Sequence, residues 1–192
     1  MKLFVIDTET GGIDDLAHSI LSIGGVVWDN GRIGDTIEIF VREEPYLVQA
    51  GAMAVNRIDL VEHDAKACSP KDAVERLNAF LSLHFRDPEA QEKVVLVAHN
   101  TPFDVGFVKR LFRLAGVDFW SVFSHRSVDT ATLLRFMVML ENLPPECAGL
   151  SGALKHFGIT VPEKDRHTAL GDALGTAKVL THIKDLYSEH FP

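Results

Sequence analysis

LFVIDTETGGIDDLAHSILSIGGVVWDNGRIGDTIEIFV, residues Leu3–Val41, reads as three strands in succession. Leu3–Ile6 is a short apolar run ending in Asp7, the pattern of a buried strand. Ile20–Trp28 is a second apolar run. Asp29-Asn30-Gly31 follows it, and Asn-Gly is the strongest short-range hairpin signal. Ile33–Val41 then alternates at Ile37, Ile39 and Val41 and reads as the returning strand. The chain therefore opens with an antiparallel three-strand meander.

Beyond the meander the period changes to helical. Ser69-Pro70-Lys71-Asp72 offers an N-cap serine, a proline at the first helical position and an acid at the third, before Val74, Leu77 and Leu81. Val94–Ala98 is β-branched and apolar, as an interior strand is. Asn100-Thr101-Pro102 opens another helix, with Phe103, Phe107 and Leu111 on one face and Gly116 at its C-terminus. Further helices are expected over Thr130–Leu140, Ser151–Phe157 and Ala169–Tyr187. Three strands followed by β-α alternation make an α/β sandwich, with a mixed central sheet between helices on both faces. No repeat or linker interrupts residues 1–192, so one domain is expected.

Composition narrows the function. With 19 Lys+Arg against 27 Asp+Glu the net charge is −8, which excludes a basic nucleic-acid wrapper. An acidic protein can still meet phosphates where metal ions supply the positive charge. Cys68 and Cys147 form no CxxC pair, which fits a reducing compartment rather than a disulfide scaffold or structural zinc. MKLFVIDTET has too few apolar residues before an acid for a signal peptide, and no apolar run is long enough to span a membrane. The expected location is the cytoplasm, with no membrane partner.

Three acidic stretches carry the chemistry. Asp7 and Glu9 lie two apart on a strand and project the same way, and like charges so close repel unless cations lie between them. His99-Asn100-Thr101-Pro102-Phe103-Asp104 follows an interior strand, where open α/β sheets place ligands. His167-Thr168-Ala169-Leu170-Gly171-Asp172 puts Asp172 in the first turn of the last helix. His167 must then stand off that helix to meet Asp172, as a general base near neutral pH. Singly, these are a solvated strand end, an N-cap with a dipole-complementing acid, and a surface histidine; the other seven of the nine histidines have no comparable setting. Together, four acids at strand ends and helix starts make an all-oxygen donor set suited to Mg²⁺ or Mn²⁺. Such clusters can hold two ions that clamp an in-line displacement at phosphorus.

At these residues the sequence resembles the DnaQ-like (DEDDh) 3′–5′ exonuclease family, which has a ribonuclease-H-like fold. DTETGG at Asp7–Gly12 resembles the family's DTETTG, HNTPFD at His99–Asp104 matches HN-x-x-FD, and HTALGDA at His167–Ala173 matches H-x-A-x-x-D. The resemblance implies two divalent ions, Mg²⁺ or Mn²⁺. Asp7 would bridge both, Glu9 and Asp172 would complete the site of the ion that activates water, and Asp104 would support the second. His167 would take the proton from the attacking water, releasing a nucleoside 5′-monophosphate from a single-stranded 3′ end. Thr8, Thr10, Asn56, His99, Asn100, Phe103 and Arg166 are the positions it assigns to substrate binding.

Two departures stand out. Gly11 replaces the family's threonine, removing one polar contact near the terminal nucleotide. YLVQAGAMAVNRI at Tyr46–Ile58 places Arg57 where the family has glycine, which puts the loop's backbone path in question and offers a phosphate contact.

Lys109, Arg110, Arg113, Lys164 and Arg166 are candidate phosphate contacts. Phe119, Trp120 and Phe123 are either stacking platforms or, as such clusters more often are, core. The DTET form resembles DNA-acting and tRNA-trimming members more than oligoribonucleases, so DNA is the favoured substrate and RNA trimming the alternative. Family members dimerise or dock onto polymerases, leaving both kinds of partner open. A catalytically weak nucleic-acid-binding or docking module is a further alternative. It is opposed by the acids themselves, which without metal would repel phosphate.

Overall fold

Asn30 and Gly31 both take positive φ, 50° and 97°, so a two-residue turn folds the second strand back on the third. In the computed structural model, which describes residues 1–85, 93–162 and 165–188, the meander is β1 (Lys2–Thr10), β2 (Ile20–Asp29) and β3 (Arg32–Phe40). β4 (Val94–Ala98) and β5 (Phe123–Asp129) extend the sheet beyond β1 in the order β3-β2-β1-β4-β5. β1–β2 and β2–β3 are antiparallel; β1–β4 and β4–β5 are parallel. The mixed sheet read from the sequence is therefore present.

The two-residue period of β1 sorts its side chains onto two cores. Phe4 and Ile6, with Ile23, Ile39 and Leu96, face α3 (Pro70–Phe85) and α4 (Thr101–Leu114) through Val74, Leu77, Phe107 and Leu111. Leu3 and Val5, with Val26, Trp28 and Val97, face α7 (Ala169–Ser188) through Ala173, Ala177 and Leu180. α5 (Thr130–Met139) and α6 (Leu150–His156) close over the outer side of α7 through Leu134, Met137, Leu154, Val179 and Ile183. The result is helix, sheet, helix, with β1 at the centre and its acidic end emerging between the layers.

Several elements differ from the sequence reading. β1 does not stop at Ile6 but continues through Asp7–Thr10, because every one of these residues pairs with β2. Two short helices, α1 (Ala50–Asn56) and α2 (Leu60–Asp64), occupy the segment after the meander. β5 was not expected: its sequence, FSHRSVD, is polar because it is an edge strand with an exposed centre. Phe119 and Phe123 are core residues packed edge-to-face with Phe112 at 5.7 and 5.5 Å between ring centres, while Trp120 stands exposed. The capping at Ser69 is as expected, its Oγ accepting the Asp72 N–H and donating to the Asp72 carboxylate.

Candidate active site

The site is built where β1 leaves the sheet. Odd residues of β1 face α7, so Asp7 and Glu9 point toward that helix, whereas Thr8 points to the α4 side. There its hydroxyl donates to Asp104 Oδ1 at 2.9 Å, holding a carboxylate that is buried in the first turn of α4. α4 starts immediately after β4, through Asn100 in the left-handed conformation (φ 77°), which asparagine tolerates well. The Asn100 N–H and, more weakly, the Thr101 N–H donate to Asp129 Oδ1, at 2.8 and 3.4 Å. The same carboxylate caps α5 by accepting from Ala131 N–H and Thr132 Oγ1.

Asp172 arrives from the other face. Gly24, the cross-strand partner of Asp7, lets α7 descend onto the sheet. A Cβ at Gly24 would lie 2.2 Å from the backbone of Ala169 and Leu170. Thr168 caps α7 by accepting the Gly171 N–H at 3.1 Å, and the loop before it is locked by Thr168 Oγ1 donating to the Asp165 carbonyl at 2.8 Å. His167 sits off the helix, as expected, with φ 59°. Its backbone lies near enough to the Asp172 carboxylate to favour the ionised form. Arg166 forms an ion pair with Asp172 Oδ1, and its Nη2 donates to Ser151 Oγ at 2.9 Å.

The carboxylates share one electrostatic problem. Burial, and then the charges of Asp172 and Asp104, push Glu9 up to about 8. Burial pushes Asp104 up to about 7 even though the Thr8 hydroxyl and N–H oppose the shift. Asp7 is raised well above the ordinary range by burial and by Asp104, Glu9 and Asp172. Asp172 is also raised by burial, with Arg166 and His167 easing the shift. Four acids cannot all ionise here at neutral pH without added positive charge. The all-oxygen donors and their unmet negative charge fit hard divalent ions. In the present arrangement no three described His, Cys, Asp or Glu side chains are close enough together to hold one. Asp172 is instead neutralised by Arg166.

A cleft of about 480 Å³ opens beside the carboxylates, over β2 and β3. Glu9 and His167 line it, and so do Asn56, Arg57, Ile58 and Lys66 from the segment that holds α1 and α2. Arg57 takes φ 56° at the C-cap of α1, the left-handed conformation that glycine adopts at least cost, so the arginine preserves the turn. At Gly11 a Cβ would lie 2.3 Å from the Leu47 carbonyl oxygen, so the segment at Leu47–Val48 fills the place of a side chain.

Other residues singled out from the sequence divide clearly. Thr10 Oγ1 donates to the Gly12 carbonyl at 2.7 Å, and the buried Asn56 donates to the Thr10 carbonyl and accepts the Ile58 N–H. Both ends of the Asn56 side-chain amide are thus engaged within the protein itself. His99 is half-buried, with Nδ1 3.2 Å from Thr130 Oγ1, and burial pushes its pKa down. Phe103 is half-buried against Phe107, 5.0 Å between ring centres.

Arg110 is not available to phosphate. It is buried, its Nη2 2.7 Å from Glu43 Oε2, and its Nη1 holds the carbonyls of Asp15 and Leu16. Lys109 lies 4.4 Å over the Trp120 ring, and Arg113 is exposed. Lys164 and, of the histidines set aside, His190 lie outside the described residues. Sequence reasoning missed Gly24 and Asp129; a glycine inside a strand and an Asp-Thr pair opening an apolar helix were the available signals.

A mixed sheet in this order, with acids at the exit of β1 and on the first turns of two flanking helices, defines a ribonuclease-H-like nuclease fold. Residues 4–180 match the RNase_T family, described as Exonuclease, and the chain belongs to this DnaQ-like exonuclease family. A DNA polymerase III subunit epsilon-like protein of Rhodobacter capsulatus is 31% identical over 187 residues, covering 95% of this chain and 24% of its own length. A Ribonuclease T of Shewanella sp. is 27% identical over 196 residues, covering 96% of this chain and 82% of its own. E. coli exonuclease I in complex with a dT13 oligonucleotide aligns with a TM-score of 0.80 at 18% identity, over 99% of this chain and 43% of that one. The chain spans only 12% to 24% of the length of its polymerase III relatives.

Proposed function

We propose that residues 1–192 act as one exonuclease domain that removes nucleoside 5′-monophosphates from single-stranded 3′ ends, with DNA the favoured substrate. The observation that carries this reading is that the buried Asp7 feels the negative charges of Asp104, Glu9 and Asp172 at once, with Glu9 among the residues lining the cleft. Those four residues would hold two divalent ions, Mg²⁺ or Mn²⁺. When bound, the ions supply positive charge against the phosphodiester and its leaving oxygen. His167, at the lip of the cleft, takes a proton from the attacking water onto its imidazole. Arg57 and Lys66 offer cations along the cleft wall for phosphates of the strand. Thr8, Thr10, Asn56, His99 and Asn100 act mainly by positioning: their bonds fix Asp104, the β1 exit and the β4–α4 turn. Phe103, half-buried in the first turn of α4, offers a face for the terminal nucleotide.

The names of the relatives bear on the substrate. The polymerase III subunit-like protein and the exonuclease I complex with dT13 favour DNA, and the Ribonuclease T relative keeps RNA trimming as the second reading. A polymerase or a second copy of the chain is the proposed partner, since polymerase III proteins are among the relatives. Cys68 and Cys147 are both free, as a cytoplasmic chain's would be, and no described helix is long and apolar enough to cross a membrane. The test is a mixture of 5′-labelled single-stranded DNA and RNA with Mg²⁺ or Mn²⁺. DNA should shorten faster, from its 3′ end, with nucleoside 5′-monophosphates as product. Faster RNA shortening would reverse the substrate assignment, and internal cuts would refute exonucleolytic action on these ends.

A further inference from the structure

Among the described residues, Arg166 is the cation that the structure pairs directly with a member of the acidic cluster. Its side chain is largely buried, at 14% exposure, and the Asp172 side chain opposite it is 13% exposed. A second anchor, Ser151 Oγ at 2.9 Å, comes from the start of α6. The backbone that carries Arg166 is independently fixed. The N–H groups of Asp165 and Arg166 both donate to the Pro162 carbonyl, and Thr168 Oγ1 closes the turn on the Asp165 carbonyl. Gly171 has no Cβ to obstruct that closure, since one would lie 1.7 Å from the Asp165 carbonyl oxygen. The contacts that hold the loop are thus separate from those that hold the Arg166 side chain.

An arginine stays charged at every physiological pH, so it cannot vacate Asp172 by losing its proton. A divalent ion and a guanidinium also repel each other at contact distance. Either one or the other can use the Asp172 oxygen that faces the cluster. Resting on the divalent-ion reading above, we propose that Arg166 is an internal counter-ion that holds Asp172 until a divalent ion displaces it, and that the displaced guanidinium then takes a phosphate of the substrate. Its neighbours Asp165 and His167 both line the cleft, so a freed Arg166 side chain has the cleft beside it. Ion binding and phosphate binding then favour each other, because each removes the other's competitor; the coupling must be equal in both directions.

The test is Mn²⁺ affinity, measured by electron paramagnetic resonance and calorimetry on the whole chain, with and without thymidine 5′-monophosphate. Arg166→Gln should tighten Mn²⁺ binding about tenfold in the absence of nucleotide, the scale of one charge-assisted hydrogen bond. The nucleotide should tighten Mn²⁺ binding in the wild type by a larger factor than in Arg166→Gln, where only the direct attraction between ion and phosphate is left. Ser151→Ala keeps the charge and removes one anchor, so it should shift affinity the same way by a smaller factor. It decides the question if Arg166→Gln does not fold. Mn²⁺ binding that Asp7→Asn weakens but that Arg166→Gln and Ser151→Ala leave unchanged or weaken would overturn the counter-ion role alone. No Mn²⁺ binding by wild type or either variant would overturn the ion site, and this proposal with it.

Discussion

At the residue scale the account rests on acids that are costly to ionise where they stand. Glu9 has an ordinary value of 4.5 and is pushed up to about 8 in the folded chain. Its folded carboxyl therefore binds a proton more tightly than its unfolded one, and the folded state gains from that proton only at low pH. The stabilisation is complete below about 4.5 and is lost as pH rises through about 8. Asp104, raised from 3.8 to about 7, acts in the same direction. We expect the melting temperature of the metal-free protein to fall between pH 5 and pH 8, with a shallower fall in Glu9→Gln and partial recovery on adding Mg²⁺. A flat profile shared by wild type and Glu9→Gln would contradict the burial argument. His167→Ala should slow cleavage by roughly 10²- to 10⁴-fold, the usual scale for a general base, with Mn²⁺ affinity retained. Full activity in that variant would remove His167 from the chemistry.

Elements position these residues, and here sequence and structure diverge most. The meander, α3, α4 and α7 were legible because apolar period, caps and turn residues agree in each of them. β5 was not, because FSHRSVD pairs only along one edge and shows neither alternation nor an apolar run. α1 and α2, with seven and five residues, are too short for a helical period to stand out. The acids and His167 were legible as residues, but what aligns them was hidden in small or distant groups. Gly24 allows α7 to lie on the sheet opposite Asp7. Gly24→Ala should lift the start of α7, costing about 1–3 kcal/mol as overpacking does. It should lower the maximal cleavage rate far more than denaturation predicts, because Asp172 moves with the helix. Unchanged stability and rate would show that α7 has room to spare. Arg110, which reads as a phosphate contact in sequence, instead joins α4 to Glu43 and to the loop after DTETGG. Removing one partner of such a buried pair costs about 3–5 kcal/mol, so Arg110→Ala should unfold at markedly lower urea concentration. A variant with wild-type stability and weakened oligonucleotide binding would restore the phosphate role.

For the whole molecule, a net charge of −8 and a cluster of raised acids set the same requirement. Affinity for a polyanion must come from a few local cations and from bound ions rather than from a general positive field. Glu9, at the exit of the central strand, lines the cleft, and so do Arg57 and Lys66. This arrangement suits a grip on the last few nucleotides. Two separate layers carry those parts, with Asp104 held on the α4 side and Asp172 on the α7 side of β1. The order of the strands, and not local sequence, brings them together.

The most direct test of the central claim is the single-turnover rate of 3′-nucleotide release from a 5′-labelled strand as Mg²⁺ is titrated, in wild type and in Asp7→Asn. The account predicts no release in chelator, a saturable rise with Mg²⁺ in the wild type, and loss of turnover in Asp7→Asn. An amide cannot supply the charge that the ions require. Release that persists in chelator, or an Asp7→Asn rate equal to wild type, would contradict a carboxylate-held ion site as the seat of the reaction.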